Sequence, residues 1–94
     1  MKDAVVFHNV WDALEPDPAK RENLKLRSEL MCELAQHIQR EKWTQAEAAR
    51  RLGVTQPRIS NLVRGKINAF SLDLLVKMAA TAGLHITMKL NKAA

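Results

Sequence analysis

A single cysteine, Cys32, stands in 94 residues, which excludes an internal disulfide and any zinc site built on several thiolates. Nothing in that usage calls for an oxidising compartment, so a reducing cytoplasm is the expected location. Three Gly and three Pro are too few for a fibrous or low-complexity chain, and no internal repeat is visible. No stretch approaches the roughly 20 apolar residues of a membrane span, and residues 1–14 lack the apolar core of a leader, so no membrane partner is expected. A Gly-rich phosphate loop, a paired-acid site and a Ser/His/Asp set are all missing, and neither catalysis nor a cofactor is assigned. The three histidines are scattered. Glu33, His37 and Glu41, spaced by four, read as helix-surface pairs rather than as metal ligands. Cys32 sits on an apolar helical stretch, away from any helix start or basic cluster, and reads as an inert thiol.

What is present suits one small folded domain. Hydrophobic residues make up 47% of the chain and charged ones 27%, the balance of a globular sequence rather than a disordered one. Fifteen Lys and Arg against ten Asp and Glu give a net charge of +5, which favours an anionic partner. The excess is local. Residues 1–39 carry a net −2, residues 40–66 a net +5 and residues 67–94 a net +2, so the middle segment alone equals the surplus of the whole chain.

The local pattern predicts helices separated by short turns. Asp17-Pro18 opens a long helix, with Asp as cap and Pro in the first turn; Leu24, Met31, Leu34, Ala35 and Ile38 recur at helical spacing, and the helix should run to about Glu41. Thr44-Gln45-Ala46-Glu47 has the form of a capping box in which Glu47 reaches back to the cap. The second helix that it opens should stop at Gly53, with Val54 closing the turn. Thr55 caps a third helix with Pro57 in its first turn, ended by Gly65; Ser71 caps a fourth, carrying Leu72, Leu75, Val76 and Ala79 and stopped by Gly83. Beyond Gly83 the period changes to two: Leu84, Ile86, Met88 and Leu90 alternate with His85, Thr87 and Lys89, which predicts one β-strand. A lone strand needs a partner. The candidates are Val5-Val6-Phe7 and the same strand of a second copy, and the two-fold pairing, which removes two edges at once, is the expected one. The expected organisation is an N-terminal arm over 1–16, a helical domain over 17–83 and a dimerisation strand and tail over 84–94.

Two short helices joined at a tight glycine, spanning Gln45 to Arg64 with Ala49, Leu52, Val54, Ile59 and Leu62 inward, meet the packing demands of a helix-turn-helix. The run Thr44-Gln45-Ala46-Glu47-Ala48-Ala49-Arg50-Arg51-Leu52-Gly53-Val54-Thr55-Gln56-Pro57-Arg58-Ile59-Ser60, continuing to Lys66, resembles the Xre/Cro family of phage-repressor-like DNA-binding domains, over about Leu30 to Ala82. The resemblance implies an all-α, lambda-repressor-like domain of four to five helices, here with a C-terminal strand for dimerisation. Two positions depart from the family pattern. Ala48 replaces a larger apolar residue, and Pro57 replaces a polar base-contacting one.

The outward side of the third helix follows from its period. Advancing about 100° per residue from Ile59 keeps Leu62 and Val63 on the core side and puts Arg64, Pro57 and Asn61 opposite, with Ser60 and Arg58 on the flanks. Gln56 lies at the end that enters the major groove first. The expected base contacts are therefore Gln56, Pro57, Arg58, Ser60, Asn61 and Arg64; the two amides suit adenine and the guanidiniums suit guanine or phosphate. Gln45, Arg50, Arg51, Thr55, Lys66 and Asn68, at helix ends and loops, are expected to grip phosphates. Leu84, Ile86, Met88 and Leu90 are the expected dimer contacts.

These readings point to a dimeric regulator of transcription, a repressor that occupies an operator on double-stranded DNA. A second reading rests on resemblance to HigA-type antitoxins, which implies a toxin partner and autoregulation. The acidic N-terminal third, with Asp12, Glu15 and Asp17 beside Val10, Trp11 and Leu14, would then meet a basic ribonuclease-like toxin; alternatively, Trp11 and Leu14 cover the domain's own core.

Overall fold

A computed structural model describes residues 15–92. The arm residues expected to pair or to meet a toxin, Val5-Val6-Phe7, Val10, Trp11, Asp12 and Leu14, lie outside that range. Helix α1, Pro18–Arg40, begins where Asp17 Oδ1 accepts the Ala19 N–H at 2.9 Å, and it buries Met31, Leu34, Ala35 and Ile38. Its stop is less usual. Lys42 adopts φ 58, a left-handed conformation that a side chain disfavours. The Lys42 N–H then donates to the Gln39 carbonyl and the Trp43 N–H to that of Ile38, each at 3.1 Å, which closes the helix as a Schellman turn.

Helix α2, Gln45–Leu52, is capped by Thr44, whose Oγ1 accepts the Glu47 N–H at 3.1 Å. The reciprocal half of the expected capping box does not form. The Glu47 carboxylate turns instead to Arg50 and Arg51, because two cationic donors outcompete one neutral backbone amide. Gly53 ends α2 at φ +71, and a Cβ placed there would lie 3.1 Å from Thr81 Cγ2. The backbone conformation favours glycine, and a Cβ would also crowd the Thr81 methyl. Helix α3, Gln56–Val63, follows at once, with Thr55 Oγ1 accepting the Arg58 N–H at 3.4 Å.

Residues Ile67–Ala69 form a short 3₁₀ turn, η1, which the periodicity did not announce. Ser71 Oγ then accepts the Leu74 N–H at 3.1 Å and opens α4, Leu72–Thr81. Leu34, Leu52, Ile59, Leu62, Leu75 and Met78 are the largest side chains sealed in the centre. Ala48 has no exposed surface at all. Helices α1 and α4 pack together as a floor; α3 rests on α1, and α2 packs on both α3 and α4.

The expected C-terminal strand is absent: no strand occurs among the described residues. Leu84 instead completes the α4 cap. Its N–H donates to the Ala79 carbonyl at 2.9 Å, and its side chain packs on the core. Exposure then rises along the tail, 39% at Ile86, 78% at Met88 and 93% at Leu90. The described part of one chain offers no edge to these residues, and a strand without a ladder partner leaves its backbone groups to water.

Two of the left-handed residues, Gly53 and Lys42, make opposite predictions. Gly53→Ala should lower unfolding free energy by about 1–2 kcal/mol, and Lys42→Gly should raise it by up to about 1 kcal/mol. Urea unfolding checks both through shifts in midpoint at unchanged m value.

Candidate nucleic-acid interface

Ile59 and Leu62, at 0% and 1% exposure, seat α3 on the core. The period then presents the rest of the helix outward: Gln56, Pro57 and Arg64 are exposed, and Ser60 and Asn61 are half-buried. Pro57 brings an apolar surface and no donor. Asn61 and Arg64 act as a pair, with Arg64 Nη2 donating to Asn61 Oδ1 at 3.3 Å. That bond orients the amide and leaves its NH₂ group to offer. Arg58 differs from its neighbours. Its Nη1 donates to the Ala69 carbonyl at 2.9 Å and its guanidinium lies 5.9 Å from the Phe70 ring centroid, so it points along the protein surface towards η1.

The residues expected at phosphates fall into two groups, one on α2 and the turn before α3, the other after α3. Gln45 is exposed at the start of α2, and Thr55, exposed at the cap of α3, keeps its hydroxyl proton to donate while its oxygen serves the cap. Arg50 and Arg51, at the other end of α2, share one partner: Arg51 Nε donates to Glu47 Oε2 at 2.6 Å, and Arg50 Nη2 donates to the same oxygen. Arg51 is further held 5.2 Å from the Trp43 ring centroid, and Trp43 meets the His37 ring edge-on at 5.2 Å. Trp43 was not picked out from the sequence. Its signal was its place just before the Thr44 cap, where an apolar residue commonly packs against the helix that follows.

Lys66 and Asn68 are exposed just after α3, at and within η1. Beneath them lies a second residue that the sequence did not reveal. Arg27, on α1, donates Nη1 to the carbonyls of Ile67 and Phe70 at 3.2 and 3.1 Å. Its partners are forty and more positions away, and no local pattern carries such a signal.

Other groups of chemical interest are accounted for by their surroundings. Cys32 is half-buried; burial, and then the charge of Glu33, push its thiol up from the usual range, so it remains protonated near neutrality. Among the described residues no group of His, Cys, Asp and Glu is placed to hold a metal ion, and no helix is long and apolar enough to cross a membrane.

Hydrogen bonds from Arg51 and then Arg50 hold the Glu47 carboxyl below the usual carboxylate range. A lowered folded-state value means that this pairing is fully present above the ordinary range and is lost only as pH falls through the lowered one. The clamp is closed at neutral pH. Glu47→Gln should therefore release two guanidiniums and remove one anion, tightening binding to random-sequence duplex DNA by about threefold at roughly 0.1 M salt. Fluorescence anisotropy reads the change; unaltered affinity would mean that neither arginine approaches the duplex.

A comparison with curated proteins finds no match. A sequence model of the helix-turn-helix domain family matches residues 14–91, a span that takes in every element described above. The chain belongs to that helix-turn-helix domain family.

Proposed function

We propose that this protein is a sequence-specific regulator that binds double-stranded DNA as a homodimer, lays α3 in the major groove and represses by occupying its operator. The observation that carries the reading is the division of α3 between a sealed side, Ile59 and Leu62, and an outward side offering Gln56, Asn61 and Arg64. Amides and a guanidinium supply both donors and acceptors to base edges. Gln45, Arg50, Arg51, Thr55, Lys66 and Asn68 flank that face, where polar and cationic groups would grip phosphates and set the register. Ser60 and Pro57 complete the base-facing set, Pro57 through contact with a thymine methyl. Arg58, already engaged by Ala69, is left out of it.

Dimerisation draws its support from the tail. Ile86, Met88 and Leu90 are uncovered, and a second copy would bury them together with their equivalents. The alternative of a toxin partner draws on the acidic side chains near α1. Two of those have local employment: Asp17 caps α1, and Glu15 Oε2 accepts the Asp17 N–H at 3.1 Å. Those roles hold both carboxylates at the start of α1 with their charge intact, so the operator-binding reading rests on α3 and not on this end of the chain.

Selection from random duplexes should recover a palindrome whose half-sites are centred about 34 Å apart, or a multiple of that distance. With about six phosphate contacts per dimer, affinity should fall with salt at a log–log slope near −5. Asn61→Ala should cost the selected site about 1–3 kcal/mol per half-site and random DNA far less, whereas Lys66→Ala should weaken both alike. A slope near zero, or the two variants exchanging their patterns, would refute this placement. Met88→Asp should shift sedimentation towards monomer and lower operator affinity in parallel; operator binding by an unaltered monomer would end the dimer reading.

A further inference from the structure

The segment that carries Lys66 and Asn68 cannot hold its own shape. A three-residue 3₁₀ turn lies below the length at which backbone bonding sustains a helix. Its internal support is thin: the Ala69 N–H donates to the Lys66 carbonyl at 3.0 Å and the Phe70 N–H to that of Ile67 at 3.2 Å. Side chains anchor it from below at Ile67 and Phe70, 6% and 3% exposed. The remaining control comes from two guanidiniums on different helices.

Arg27 reaches up from α1 with its Nε bonded to Asn23 Oδ1 at 2.7 Å, which fixes the plane of the group. One Nη1 then serves both the Ile67 and the Phe70 carbonyls. Arg58 comes from α3, takes the Ala69 carbonyl and lies against the Phe70 ring. Three carbonyls of η1 and its exit are thus drawn inward by cations. A trans peptide sends its N–H opposite to its C=O, and no cis bond occurs among the described residues. Pulling the Ile67 carbonyl towards Arg27 therefore turns the Asn68 N–H away from Arg27, on the exposed side of the turn.

We propose that Arg27 and Arg58 are positioning residues of the DNA interface: they clamp the 66–70 segment so that Lys66 and Asn68 meet the phosphate backbone beside the groove, and neither arginine makes that contact itself. Arg58 also ties this segment directly to α3, so base-reading helix and phosphate-gripping turn are held in one register. The proposal rests on the DNA-binding reading above. It adds to that reading a role for a residue of α1 that contacts no base.

Salt dependence separates a positioning group from a contacting one, because only the loss of a phosphate contact removes a counterion-release step. The test uses the full chain and a fluorescein-labelled mixed-sequence duplex of about 24 base pairs, titrated from about 50 to 200 mM salt. Arg27→Met and Arg58→Met should each weaken binding by about tenfold with the slope kept within roughly 0.3 of the parent, while Lys66→Ala should flatten the slope by about 0.9 per subunit. Arg27→Lys and Arg58→Lys keep charge and stem but lose the fork. They should fold, bind more weakly and exchange the Ala69 and Phe70 amides faster by NMR, with α1 and α3 amides unchanged. Parent-like affinity in the Lys variants, or a slope that flattens by a full contact in the Met variants, overturns the clamp. Failure of the parent chain to bind the duplex at all overturns the DNA reading itself, an outcome distinct from either.

Discussion

Everything outward in this protein depends on the burial of two side chains inward. Helix α3 has eight residues, shorter than the length at which an isolated helix is stable in water. Its existence and its rotation about its own axis are set by Ile59 and Leu62, almost without exposed surface in the centre of the domain. A helix that is seated by two points one turn apart cannot roll, so Gln56, Asn61 and Arg64 are committed to the opposite side. The turn before it is constrained in the same way. Thr81 of α4 stands against the place where Gly53 would carry a side chain, so the angle between α2 and α3 is braced by the floor of the domain.

How far this was legible in the sequence divides by range. The caps at Asp17, Thr44, Thr55 and Ser71 act within three residues of themselves, and a signal that short can be read directly. The inward face of α3 was equally legible, since one periodicity decides it. The stop of α1 was not marked by glycine: Lys42 takes the left-handed position, and the site follows from the turn's hydrogen bonds rather than from residue type. Arg27 was invisible because its role is defined by carbonyls contributed from the far end of the domain.

The tail shows a subtler failure of pattern. An apolar residue just after a helix-stopping glycine is what a helix cap needs for its closing contact, and it is also what the first residue of an amphipathic strand looks like. Leu84 follows Gly83 and serves the cap. Removing it from the alternating series leaves Ile86, Met88 and Leu90, three positions whose alternation says that one side is apolar but not what that side faces. Period two is a statement about a chain's two faces; a ladder also needs a neighbouring edge.

The cations of residues 40–66 illustrate why net charge and contact are separate quantities. Arg50 and Arg51 share Glu47, and Arg58 is bonded to a backbone carbonyl. A carbonyl oxygen accepts a hydrogen bond without cancelling the donor's charge, so Arg58, and Arg27 beneath it, remain full positive charges while serving the fold. Glu47 works in the other sense at the end of α2, where one anion offsets part of two cations. The cations at the η1 side of α3 therefore keep the charge that residue counting assigns them, whereas at the end of α2 one anion stands against two cations.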